Sequence, residues 1–236
     1  MMERPVIDVT LDMRVDARGR DPDKHSPTLR RYHQALWSKP LPSGSRFDLD
    51  ASKPGRYLYH QSALGEFLLA SDSILRTFNS HPRATSIVAQ ISAAEREASM
   101  SEAYTIGGMI VFPGDRVDGK QTINQARGTH PRISDRFDLT LECIRRHYLG
   151  QPSPLDVTLN RYAEFFALFE SFRGYVDFFL LQDAVADGHS AVRFWAPFDD
   201  FTTPAIPQSL DEYLTYRELM FKFLRGRNSR IASWAR

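Results

Sequence analysis

The sequence predicts an α+β fold: a small mixed or antiparallel sheet with a predominantly helical C-terminal half. Three observations predict it. The run TIGGMIVFP (residues 105–113) is apolar and β-branched, and it is bounded by glycine and proline, as a buried strand should be. Phe137, Leu141, Ile144 and Tyr148 fall on one helical stripe. After residue 150 the chain is dense in aromatic side chains at helical spacing, with Tyr162, Phe165, Phe166, Phe169, Phe172, Val176 and Phe179.

The elements follow in order. Residues 6–13 alternate weakly through Val6, Val9, Leu11 and Met13 and read as a short strand. Residues 17–27 are a polar loop containing proline. Ser26 or Thr28 then caps a helix, TLRRYHQALW, with Leu29, Tyr32, His33, Leu36 and Trp37 on one face. Residues 56–60 and 66–70 are strand-like. Residues 84–103, rich in alanine and serine, read as a mobile loop or a short helix. In the strand at 105–113, Gly107-Gly108 marks a bulge or a close approach of a ligand, with the bulge preferred. A helix is expected over 134–148 with Ser134 as N-cap and Gly150 as its stop. A long aromatic helix is expected over 157–185, a strand over 191–195, and a proline-rich crossing over 197–207. Ser209 and Glu212 form a capping box for a helix that runs to about Leu224. No internal repeat divides the chain, so one domain over 1–236 is expected, with 1–55 as a candidate N-terminal subregion.

Composition narrows the function classes. The chain has 236 residues, enough to bury a substantial core, and its 42% hydrophobic and 25% charged contents suit a globular protein. A net charge of +1 argues against a surface built as a whole to coat nucleic acid. The single cysteine, Cys143, rules out an intramolecular disulfide and a cysteine-based zinc site. The seven histidines lack metal-ligand spacing, so no metal is expected, and no motif calls for a cofactor. The first residues lack the apolar core of a signal peptide, and no run is long enough to span a bilayer. A cytoplasmic protein without membrane attachment is therefore expected.

The most chemically suggestive stretch is RGTHPRISDRFD, residues 127–138. In the functional reading, Arg127, Arg132 and Arg136 clamp an anion at a helix start, where unpaired N–H groups and the dipole also favour negative charge. Ser134 caps that helix, Asn124 adds a neutral hydrogen bond, and His130 is the candidate acid or base, oriented by Asp135 or Asp138. The ligand would be a small phosphorylated or carboxylated molecule. In the structural reading the same residues form a lattice of ion pairs, and Glu142 with Arg145 and Arg146 lies on the solvent face. Ion pairs are commoner than active sites, so this lattice is the leading expectation.

A second site candidate is the C-terminal stretch, which has no acid after Glu218. Lys222, Arg225, Arg227, Arg230 and Trp234 would bind nucleic acid, or the cations would offset a helix dipole. Arg20–His25 and Arg76–His81 repeat an arginine–histidine spacing seen in helical ribonucleases. Two such matches in one chain show how readily the pattern arises by chance.

The stretches SPTLRRYHQALWSKPLPSG, TIGGMIVFPG, RISDRFDLTLECIRRHY and PLDVTLNRYAEFFALFESFRGYVDFFL together resemble a family of uncharacterised bacterial proteins, a domain of unknown function. The resemblance implies a bacterial, intracellular, single-domain protein. It transfers no activity and no functional residue.

Overall fold

The computed structural model describes residues 6–50, 58–62 and 65–235. Residues 6–12 form no strand. Asp12 accepts from the Arg14 N–H and caps α1 (Met13–Asp16), a local hydrogen bond that overrides the weak alternation. Asp21 caps α2 (Pro22–His25), which carries proline at its first position. Ser26 then caps α3 (Pro27–Trp37), and the expected face of Leu29, Tyr32, His33, Leu36 and Trp37 is buried.

A short hairpin follows, β1 (Lys39–Pro40) with β2 (Arg46–Phe47). The main sheet is antiparallel throughout, in the order β3 (Leu58–Ser62), β4 (Gly65–Ser73), and β5 (Met109–Pro113). Leu58 pairs with Leu69, and Leu69 pairs with Pro113, so β4 is central. Part of the expected strand at 56–60 lies outside the described residues. Between β4 and β5 lie α4 (Thr85–Val88) and α5 (Ala93–Ala103). The alanine- and serine-rich segment is thus largely helical, with Ser92 and Glu95 as its capping box.

The strand β5 is buried along its whole length. The glycines before it are neither a bulge nor a ligand approach. They form a tight 3-10 turn, where a Cβ on Gly107 would lie 2.4 Å from Asn228 Oδ1 and one on Gly108 would lie 2.1 Å from the Ala103 carbonyl oxygen. Glycine is required there because two elements close on the backbone.

The helical half begins with α6 (Ile123–Thr129), capped by Thr122 and Gln125, and α7 (Phe137–Tyr148). Phe137, Leu141 and Ile144 are buried as the stripe predicts. Glu142 is buried as well, not exposed, because it is clamped by Arg145 and Arg146 at 2.8 Å each. Cys143 is wholly buried, and burial pushes its thiol up to about 12. Native protein should therefore not react with a thiol-specific disulfide reagent until denaturant is added. Rapid labelling without denaturant would contradict this packing.

The expected long aromatic helix is broken into α8 (Asp156–Asn160), α9 (Ala163–Ala167), and α10 (Phe172–Phe178). Its aromatic residues are too many for one face of a helix, and the chain turns to bury them all. Glu170 and Leu180 adopt left-handed backbone at the turns, and Phe169 packs at 4.9–5.4 Å from Phe165, Tyr175, Phe178 and Phe179. A two-stranded pair, β6 (Val185–Ala186) with β7 (Ala191–Val192), precedes the last helix. That helix, α11 (Leu210–Trp234), starts at the expected Ser209 cap but continues ten residues past Leu224. Tyr213 and Tyr216 donate to the carbonyls of Thr77 and Arg76, tying it to the segment after β4.

Candidate functional site

The α6–α7 junction resolves most of the charged cluster into pairs. Arg127 is wholly buried, with Nη1 2.7 Å from Asp72 Oδ2 and 2.9 Å from Asp135 Oδ1. It also donates to the carbonyls of Ser73 and Asp135 and to the Thr140 hydroxyl. Arg136 is buried against Asp138, which in turn accepts from the Trp195 N–H at 2.9 Å. The two guanidinium groups thus point to different carboxylates. Arg132 is exposed, and its backbone N–H donates to His130 Nδ1. Burial and Arg132 lower the His130 pKa, and neither Asp135 nor Asp138 reaches it as a hydrogen-bond partner.

Ser134 is not the N-cap of α7. Arg136 takes that position, without a side-chain cap, because Ser134 (φ 47°) and Asp135 (φ 65°) are both left-handed. The Asp135 N–H donates to the Arg127 carbonyl at 2.9 Å, and Arg127 Nη2 donates back to the Asp135 carbonyl at 3.1 Å. This reciprocal clasp holds a backbone conformation that non-glycine residues rarely adopt.

The C-terminal cations are also placed differently from a free basic tail. Arg225 pairs with Glu102 at 2.6 Å, and Arg230 pairs with Asp183 at 3.1 Å. Arg227 is wholly buried and donates to the carbonyls of Gly107, Met109 and Phe179. Trp234 is half-buried beside the Lys39 amine. Of the five, Lys222 stays exposed with no ion pair among the described residues.

The concavity with the most unusual chemistry lies beside Arg127, between α2, the end of β4, the turn after β5 and the start of α6. It encloses about 550 Å³ and is lined by polar groups, including Asp23, Ser71, Asp72, Arg116 and the expected site residue Asn124. Asn124 Oδ1 has no hydrogen-bond partner among the described residues. Asp72 spends Oδ2 on Arg127, while a quarter of its side chain stays open at the floor of the cleft. Asp23 accepts from the Ser71 hydroxyl at 2.9 Å. A second depression, between α5 and α11, holds about 470 Å³, but Arg225 and Arg217 there already face Glu102 and Glu95.

Burial raises both cleft carboxyls. Asp23 is pushed up to about 6, first by burial, with Asp21 adding to the rise and Ser71 opposing it. Asp72 is pushed up to about 7 by burial, then by Asp23 and Asp135, against the pull of Arg127. Between about pH 4 and about pH 7 the folded protein therefore holds more protons on this pair than the unfolded chain does. Its contribution to stability is complete below that window and is lost as pH rises through it. Relative to wild type, Asp72→Asn should gain on the order of 2 kcal/mol between about pH 4 and about pH 8, allowing for partial exposure and coupling. Urea titrations of both proteins across that range measure it, and parallel pH profiles would contradict it.

Residues 7–231 match a family of unknown function, DUF6994. The chain belongs to that family. The DUF6994 span takes in the whole cleft and nearly all of α11. No curated protein and no solved structure matches the chain. Among the described residues, no helix is long and apolar enough to cross a membrane, and no group of three or more histidine, cysteine or acidic side chains is arranged to hold a metal ion.

Of the cleft residues, sequence reasoning singled out Asn124 and the adjoining Arg127. It missed Asp23, Ser71 and Asp72. The available signals were DPD at 21–23, which caps a helix, and SDS at 71–73, which continues a strand.

Proposed function

We propose that the cleft between α2, β4 and α6 binds a small, neutral, hydroxyl-rich molecule and exchanges a proton with it through Asp72. The observation that carries this reading is Asp72 itself, anchored on buried Arg127 through one oxygen, open to the cleft, and titrating near neutrality. Such a carboxyl can give or take a proton under ordinary conditions. Charge selects the ligand class. Asp21, Asp23, Asp72 and Asp115 line the cleft against only Lys24 and Arg116, which disfavours an anion. The Asn124 amide and the carboxyl oxygens suit hydroxyl groups, which both donate and accept. A cytoplasmic setting belongs to the same proposal, supported by the single cysteine being a buried free thiol.

The test is a thermal-shift panel near pH 6.5 comparing sugars, cyclitols and nucleosides with their phosphorylated forms. A neutral polyhydroxyl compound should raise the Tm, and Asn124→Ala or Asp72→Asn should abolish the rise. Stabilisation confined to the phosphorylated forms, or undiminished in both variants, would overturn the reading, as would a panel with no stabiliser at all.

A further inference from the structure

Behind the cleft runs a chain of hydrogen bonds whose direction can be worked out from the donors. Trp37 Nε1 donates only, and it lies 2.8 Å from His33 Nδ1. His33 Nδ1 must therefore accept. The ring is wholly buried, and burial, then Arg227 and Arg30, push it down to about 3, so it is neutral. In a neutral ring with Nδ1 accepting, the proton is on Nε2. His33 Nε2 lies 2.8 Å from Ser71 Oγ, so the imidazole donates to the hydroxyl. The one hydroxyl proton of Ser71 is then directed to Asp23 Oδ1, 2.9 Å away. This direction also excludes His33 as a base for Ser71, because the nitrogen that faces the hydroxyl already carries a proton.

We infer that the Trp37–His33–Ser71 chain holds Asp23 as the ionised acceptor of the carboxyl pair, so that the exchangeable proton resides on Asp72 Oδ1, facing the cleft. Two observations point the same way. Asp23 receives the Ser71 hydroxyl at 2.9 Å, and a hydrogen bond donated to a carboxylate favours its charged form. Asp72 Oδ2 accepts from Arg127, while Oδ1 has no hydrogen-bond partner among the described residues and is free to carry a proton. The other charges around the pair are Asp21 beside Asp23 and Asp135 beside Asp72, with Arg127 acting on both, while Lys24, Asp115 and Arg116 line the same cleft. Tyr104 feels both carboxyls and Asp21, and burial holds its phenol neutral. Trp37, His33 and Ser71 are positioning residues, since they act on the pair through Asp23.

The inference rests on the cleft as the functional site, but its test needs no ligand, so the two can fail separately. NMR of the ligand-free protein, labelled with ¹⁵N in histidine and ¹³C in the aspartate carboxyls, reads each step. His33 should remain neutral, with its proton on Nε2, through mildly acidic pH. Asp23 should lose its proton at lower pH than Asp72. Ser71→Ala removes the directed hydroxyl, so the Asp23 midpoint should rise, the Asp72 midpoint should fall, and the two should approach or exchange order. A proton on His33 Nδ1, Asp72 ionising first in the wild type, or unchanged midpoints in Ser71→Ala would each overturn it. The first two measurements need no variant, so the inference stays testable even if Ser71→Ala fails to fold.

Discussion

Arg127→Met is expected to destabilise the protein by about 3–5 kcal/mol, the usual cost of removing one partner from a buried ion pair. The guanidinium is wholly buried and serves Asp72, Asp135, Thr140 and two carbonyls at once. Methionine matches the stem but leaves Asp72 without its counter-charge and Asp135 with only the longer pair to Arg76, at 3.5 Å. It also releases the clasp that holds Ser134 and Asp135 in left-handed backbone. Urea unfolding near neutral pH measures the loss. Adding Asp72→Asn and Asp135→Asn should recover a large part of it, because the stranded charges are then gone. If the single variant unfolds at the wild-type urea concentration, Arg127 is not the centre of this lattice.

A loss of similar size is expected for Arg227→Met, by a different route. Arg227 has no carboxylate partner among the described residues. It offers its donors to the carbonyls of Gly107, Met109 and Phe179, and burial pushes its pKa down to about 9. Methionine would leave three buried acceptors without a donor, at about 1–3 kcal/mol each. Arg227→Lys retains charge but lacks the planar fork, so it should recover only part of the stability. Thermal unfolding of the three proteins should give wild type above lysine above methionine. Equal Tm values for lysine and arginine would show that charge, not the fork, holds the three carbonyls.

The elements legible in the sequence were those set by local chemistry. Ser26 and Ser209 are caps that need only their own next turn, and the stripes of α3 and α7 bury the side chains their spacing selects. Misread elements were decided by distant partners. The start of α7 moved three residues because Arg127 pulls Asp135 into place from the preceding helix. The aromatic helix broke because its rings outnumber what one face can bury. The cleft was hidden for the same reason. Asp23 belongs to a four-residue helix and Asp72 to a strand end, and each looks ordinary alone. Only the packing of α2 beside β4 makes them a coupled pair. Asn124 was noticed for its proximity to Arg127 in sequence, and it faces the cleft that Arg127 supports from behind.

The fork of Arg227 also sets a timetable for biogenesis. A nascent chain emerges from the ribosome in sequence order, and the turn at Gly107 waits 120 residues for the side chain that closes it. At typical rates of translation that interval is on the order of 10 seconds. Throughout it, the wholly apolar strand MIVFP has no α11 to close over the turn that leads into it. Tyr213 and Tyr216 make equally late ties to Thr77 and Arg76. The core thus closes only once α11 has been made, with this apolar strand among the segments that wait for a partner, and holdase chaperones would meet it in that interval.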